Sequence, residues 1–205
     1  MSLRDVLTAM SPLEASAVAF GLAYLVLAIR QNILCWPAAL ISVLLSLVLF
    51  FEARLYSESA LQLFYAAMAL YGWYQWRFGG GGAADETVEL PVSVWPLKRH
   101  AIAIAVSLVA TVAIGWVLAH KTRAAFPYLD TFTSVSAIVT TYMVAKKILE
   151  NWLYWIVLDS LSVYLYVARN LYLYAALFVV YVVLAVLGWL RWRRDWREQA
   201  APVIA

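Results

Sequence analysis

The chain predicts an all-α membrane protein with seven transmembrane helices, and three observations carry that prediction. Hydrophobic residues make up 65% of the 205 and charged residues only 13%, with a mean hydropathy of +0.80. The apolar residues fall in long blocks rather than alternating with polar ones, as no soluble domain of this size requires. Basic residues gather in the breaks between blocks, which is the topology signal of a polytopic membrane protein. The net charge of +3 therefore calls for no nucleic-acid partner.

A span takes about 20 residues, with 17–25 tolerated. Seven stretches qualify: 13–29, 34–51, 59–77, 100–120, 127–146, 151–168 and 171–192. The first has an acidic front (Asp5, Glu14) and no small-residue cleavage site, so it reads as a retained helix rather than a signal peptide. Short polar turns, Arg30-Gln31-Asn32 and Glu52 to Glu58, separate the first three. Phe78-Gly79-Gly80-Gly81-Gly82 through Asp85, Glu86 and Pro96 is glycine-rich and then proline-marked, and is expected to be a solvated cytoplasmic loop over 79–99. His120 to Pro127 is a second break, and 193–205 is expected to be a cytoplasmic tail. A lone Cys35 excludes an intramolecular disulfide and any multi-cysteine metal or redox centre.

Orientation follows from the basic residues. Arg4, Arg54, Lys121, Arg123 and Arg169 fall on one side; Arg30, Arg77, Lys98, Arg99, Lys146, Lys147, Arg191, Arg193, Arg194 and Arg197 fall on the other. That imbalance puts the C-terminus in the cytoplasm and the N-terminus outside. The chain also repeats itself. Tyr65-x6-Gly72-Trp73-x2-Trp76 recurs 116 residues later as Tyr181-x6-Gly188-Trp189-x2-Trp192. Arg54 and Arg169 match at an offset of 115, and Asn32-x3-Trp36 and Asn151-x3-Trp155 at 119, as for a duplicated unit with small insertions. Two parallel three-helix repeats, 1–78 and 127–192, joined by the linker helix 100–120 give a 3+1+3 plan, with a site expected near the midplane at the repeat interface.

The most informative span is the sixth. At 100° per residue Asn151, Trp155, Asp159, Ser162 and Tyr166 fall within about 80° of one another, while Leu153, Ile156, Val157 and Tyr164 point elsewhere. A carboxylate at mid-membrane costs roughly 2.5–3.5 kcal/mol on insertion scales, so Asp159 marks a functional site. Gln62, on a face with Glu58, Tyr65, Ala69 and Trp73, must likewise find hydrogen-bond partners, as must Asn151. Helix-to-helix hydrogen bonds are the plainer account of such groups. Three of them on two helices flanked by tryptophans favour a pocket.

Other residues have blander readings. Gly72 and Gly188 permit close helix packing, and Trp76 and Trp192 belong to the aromatic belt. Trp73 and Trp189, one turn deeper, stay open between belt and pocket wall. The aromatic stripe of Tyr174, Phe178 and Tyr181 suits core packing as well as a binding wall. Hydroxyls at Thr131, Thr133, Ser134, Ser136, Thr140 and Thr141 either line a passage or bond back to their own helix. Asp130 is placed to cap that helix. Enzymatic chemistry is poorly supported: His100 and His120 flank the linker helix at opposite ends, and no metal, phosphate-loop or nucleophile motif is present. No cofactor is expected.

Lys146-Lys147-Ile148-Leu149-Glu150-Asn151-Trp152-x2-Trp155-x3-Asp159, with Leu165-Tyr166 following, resembles the nicotinamide riboside transporter family called PnuC. Tyr71-Gly72-Trp73-x2-Trp76 and Pro127-x2-Asp130 share in that resemblance, which covers nearly the whole chain. It implies a bacterial inner-membrane uptake protein for an NAD precursor, a homotrimer with one pathway per protomer, and trapping of the substrate by a cytoplasmic kinase. The plan also looks like that of the SWEET sugar transporters, and related proteins carry riboflavin or thiamine. For a cationic pyridinium with a carboxamide and a ribose, Trp152 and Trp155 offer ring faces. Asn151 and Gln62 offer amide and hydroxyl partners, and Asp159 offsets the ring charge. Trp36, Tyr65, Trp73, Phe178 and Tyr181 complete the expected substrate contacts. A phosphorylated nucleotide would meet a carboxylate with no opposing lysine. Facilitated diffusion is the simplest coupling, with proton coupling through Asp159 as the alternative.

Overall fold

The computed structural model describes residues 11–54, 56–80, 90–122 and 126–200. Arg4, Asp5, Gly81, Gly82, Asp85, Glu86 and Arg123 lie outside the described residues. The chain divides into two compact units, Met1–Leu90 and Pro91–Ala205. In the first, α1 (Pro12–Ile29), α2 (Cys35–Glu52) and α3 (Tyr56–Phe78) pack in sequence order. In the second, α4 (Leu97–Lys121), α5 (Pro127–Ala145), α6 (Asn151–Ala168) and α7 (Tyr172–Ala200) do the same. Of these helices α1, α2, α4 and α7 are apolar and long enough on their own to cross a membrane. The other three carry most of the amide, hydroxyl and aromatic residues, which lowers their apolar content.

Local chemistry explains the boundaries. Ser11 Oγ accepts from Glu14 N at 3.1 Å while Glu14 Oε2 accepts from Ser11 N at 2.8 Å, a reciprocal cap with Pro12 in the first turn. α5 also opens on a proline, Pro127. Turns after α1 and α5 close alike: Asn32 N donates to Leu27 O and Ile148 N to Met143 O, both at 2.9 Å. Their left-handed residues are Gln31 (φ 54°) and Lys147 (φ 49°), so both helices end in the αL manner without glycine. After α2 and α6 the same conformation falls on Arg54 (φ 60°) and Asn170 (φ 58°).

Every one of these pairs is separated by 116 residues, and so are the ring contacts. Trp36 stands edge-on to Trp76 with centroids 5.4 Å apart at 87°, and Trp152 stands edge-on to Trp192 at the same distance and angle. Trp36 covers Gly72 and Trp152 covers Gly188. The structure thus matches Cys35 with Asn151 and Arg54 with Asn170, replacing the offsets of 119 and 115 and removing the expected insertions. Trp76 and Trp192 are buried in these contacts and are packing residues, not an interfacial belt.

One expectation about a connecting segment is corrected. Residues 90–96 are not a free loop: Ser93 N donates to Lys147 O at 3.0 Å, Leu149 N to Ser93 O at 2.8 Å, and Val92 N to Gln199 Oε1 at 3.2 Å. Val92 is buried, so this strap crosses the α5–α6 turn and reaches α7. The segment after Trp192 continues as helix, with α7 running on to Ala200. Arg191–Asp195 (3.5 Å) and Arg194–Glu198 (3.8 Å) ion pairs at i,i+4 support its polar turns.

Substitutions at the glycines test the packing. A Cβ on Gly188 would sit 2.5 Å from Trp152 ring carbons, so Gly188→Ala and Gly72→Ala should each lose about 1–3 kcal/mol of stability. Gly21→Ala, whose Cβ would meet Ser42 Oγ at 3.3 Å, should be mild by comparison. Thermal unfolding of the purified proteins in one detergent reads the difference. Ser93→Pro, which removes the donor to Lys147, should lower the transition as well, whereas a free loop would leave it unmoved.

Candidate functional site

Asn151 opens α6 and is fully buried at 0% exposure. Its Nδ2 donates to Ile148 O at 2.6 Å, which ties the side chain back into the preceding turn. Its Oδ1 is buried and accepts no hydrogen bond among the described residues, and the indole N–H groups of Trp36 and Trp152 are buried without an acceptor there too. Trp152 differs from expectation. One face of its ring rests on Gly188 and its edge meets Trp192, so the face offered to a flat ligand is taken up in packing. Trp36 is held in the same way by Gly72 and Trp76. Trp155 is half-buried, and it is the α6 tryptophan that remains for stacking.

Asp159 lies two turns along α6, about 12 Å from Asn151, with 6% exposure. It has no hydrogen-bond or ion-pair partner among the described residues. Tyr181 of α7 lies within electrostatic reach of it. From Tyr181 an aromatic train continues to Phe178 (5.3 Å), Tyr166 (5.1 Å from Phe178) and Tyr174 (5.4 Å from Tyr166, near parallel). The second unit therefore brings Asp159, Phe178 and Tyr181 together on the facing sides of α6 and α7. Ser162, on the same face, donates to Leu158 O at 3.0 Å within its own helix.

In the first unit Trp36 has Tyr24 of α1 beside it, centroids 6.1 Å apart, and Tyr24 is within electrostatic reach of Tyr65. Gln62 and Tyr65 are half-buried. Trp73 does not join them: it is 42% exposed at the end of α3, with its ring against Phe78 at 6.1 Å. That exposure suits the interfacial belt, one of the two readings left open for it. Tyr24 escaped the sequence reading because one tyrosine in a uniformly apolar helix gives no periodic signal.

Two polar constellations were not foreseen. Asp130 is no cap; its Oδ2 pairs with Arg169 Nη2 at 2.5 Å, and the guanidinium also sits 5.5 Å from the centre of the Phe126 ring. The partners are 39 residues apart, so no local pattern announces them. On another side of α6, His100 contacts the Tyr154 hydroxyl (2.9 Å) and Glu150 (3.7 Å), while Glu150 Oε2 accepts from Trp95 N at 3.3 Å. The hydroxyls of α5 resolve toward the plainer reading. Thr131, Thr133, Thr140 and Thr141 all donate to carbonyls of their own helix.

The geometry can be set beside known proteins. Residues 11–194 match the profile of the nicotinamide mononucleotide transporter family. The riboflavin/roseoflavin transporter RibM of Streptomyces davaonensis is 35% identical over 191 residues, covering 89% of this chain and 87% of that protein. The nicotinamide riboside transporter PnuC of Escherichia coli is 27% identical over 220 residues, 96% of this chain and 91% of the relative. A crystal structure of the vitamin B3 transporter PnuC superposes with a TM-score of 0.69 at 28% identity, over 91% of this chain and 82% of that one. These relatives are transporters and not enzymes. With helices built to cross a bilayer and a match along nearly its full length, the chain belongs to the nicotinamide mononucleotide transporter family, the family of PnuC, as a multi-pass membrane transporter.

Proposed function

We propose that the chain carries nicotinamide riboside across a bacterial inner membrane by facilitated diffusion with alternating access, a cytoplasmic kinase trapping the substrate by phosphorylation. The observation that carries this reading is Asp159, a buried carboxylate without a cationic partner among the described residues. A buried charge asks for a counter-charge, and a pyridinium supplies it while its ring stacks on aromatic faces. Asn151 Oδ1 and the Trp152 indole N–H supply one buried acceptor and one buried donor from adjacent residues. That is the complement of a carboxamide, which donates from nitrogen and accepts at oxygen. Trp155, Gln62, Tyr65, Phe178 and Tyr181 supply ring faces and hydrogen bonds to the rest of the substrate.

The 3+1+3 plan of parallel repeats belongs to the same proposal, and the turn and ring geometry recurring at 116 residues supports it. An external N-terminus, a cytoplasmic C-terminus and a homotrimeric assembly are further parts of the proposal. Identity of 35% to a riboflavin transporter favours a second reading, in which the cargo is riboflavin. The isoalloxazine edge also sets an N–H donor between two carbonyl acceptors, so Asn151 and Trp152 suit it equally. Riboflavin is uncharged, so Asp159 separates the two.

Uptake into reconstituted vesicles, competed with nicotinamide riboside, riboflavin, thiamine and sugars, identifies the cargo; nicotinamide riboside should compete best. Asp159→Asn should weaken nicotinamide riboside binding about tenfold, a loss on the scale of a charge-assisted contact. An unchanged affinity in folded protein would remove the cationic-substrate reading, and riboflavin binding lost through Asn151→Ala alone would establish the second. Counterflow without any ion gradient should persist; its dependence on a proton gradient would replace facilitated diffusion by coupled transport. A reporter fused to the C-terminus should be active only in the cytoplasm.

A further inference from the structure

The second unit carries a cavity of about 500 Å³ that the transport reading does not use. It lies among α4, α5 and α6, with His100, Ile104, Glu150, Leu153, Tyr154 and Val157 in its wall. Around α6 the centre of Glu150, Leu153, Tyr154 and Val157 is about 150° from the side that holds Asn151 and Asp159, at 100° per residue. The cavity is therefore separate from the candidate substrate groups.

Its two ends differ in chemistry. At one end Glu150, His100 and Tyr154 form a connected polar cluster in the first turns of α4 and α6. That end adjoins Lys98, Arg99, Lys146 and Lys147, the basic residues that mark the membrane–water interface. Below the cluster the wall is apolar and open, with Ile104 and Val157 exposed at 47% and 55%, and Leu153, level with Tyr154, exposed at 40%. From Glu150 to Val157 the groove descends about 10 Å, roughly two helical turns. A polar mouth at the headgroup level over an apolar trough two turns deep is the shape of one phospholipid arm.

We propose that this groove is a lipid site holding an acyl chain of phosphatidylethanolamine, with its glycerol-ester region at Tyr154 and His100 and its ammonium at Glu150. The charges select the head. Glu150, flanked by the rings of His100 and Tyr154 stacked 5.8 Å apart, is the acidic group at the mouth and meets the amine, while the adjoining Lys98 and Arg99 answer the phosphate. A carboxylate beside aromatic faces favours an amine. Tyr154 lies one turn deeper than Glu150, about 6 Å, a separation that places ester oxygens and amine at different donors and acceptors of the same cluster. The hydrocarbon then covers Ile104, Leu153 and Val157, which water would otherwise have to wet.

Native mass spectrometry of the full-length protein, exchanged into mixed phosphatidylethanolamine and phosphatidylglycerol, tests the site. One phospholipid per chain should survive delipidation, phosphatidylethanolamine preferred about fivefold, as a single part-exposed charge contact allows. Glu150→Gln should erase the preference while keeping a lipid bound. Ile104→Trp should expel it, and Val157→Trp serves the same purpose should the first variant fail to fold. Equal retention of the two lipids by the unmodified protein overturns the proposal. So does lipid retention by either folded tryptophan variant, or a disulfide joining two copies through Val157→Cys, which would make the groove a protein interface.

Discussion

Helices inside a bilayer gain little from being apolar, because lipid is as apolar as they are; close packing must hold them together. Here that packing is an indole laid on a glycine. Trp36 on Gly72 and Trp152 on Gly188 bring α2 against α3 and α6 against α7 where the glycine has no Cβ to hold the ring away. The edge-on contacts with Trp76 and Trp192 close each arrangement from the side. Because Trp152 is locked, Asn151 beside it is locked as well, its Nδ2 spent on Ile148 O and its Oδ1 left over. The polar chemistry of the sixth span is thus positioned by a contact between two of the least polar groups in the chain.

The internal repetition separates scaffold from function. Among the residues shared at 116 positions' distance, the tryptophan–glycine–tryptophan set and the buried Ala69 and Ala185 are structural, while Tyr65 and Tyr181 are candidate site residues in both units. The candidate amides and carboxylate are what break the repeat. Asn151 stands where the first unit has Cys35, and Asp159 where it has Val43. Gln62 stands where the second unit has Phe178. Packing demands the same residue twice.

Much of this was legible in the sequence, and the limits are physical. Helix positions were readable because apolar blocks of span length have few alternatives, and α6 matched at both ends because Asn151 and Ala168 bound an unbroken run. The Gly-Trp repeat was readable, but its meaning was not. Spacing cannot tell an indole that anchors at an interface from one that covers a glycine, so Trp76, Trp192 and Trp152 changed roles once their contacts were known. Trp73 moved the opposite way, to the exposed end of its helix. Asp130–Arg169 and His100–Glu150–Tyr154 join residues 39 to 54 apart, and no single helical period reports such partners. The strap was missed for another reason: glycine and proline announce a break, and a broken segment still pairs where a turn leaves backbone groups free.

That strap has a bearing on how the two halves can be handled. Ser93 shares a two-way backbone bridge with Lys147 and Leu149, and Val92 reaches Gln199, so the stretch preceding α4 is structurally property of the second unit. A scheme that co-expresses the halves as separate polypeptides must therefore sever the chain upstream of Leu90. A cut placed at the start of α4, where the helix itself suggests a natural border, would strip the second fragment of its own lining and leave the turn that bears Asn151 without support.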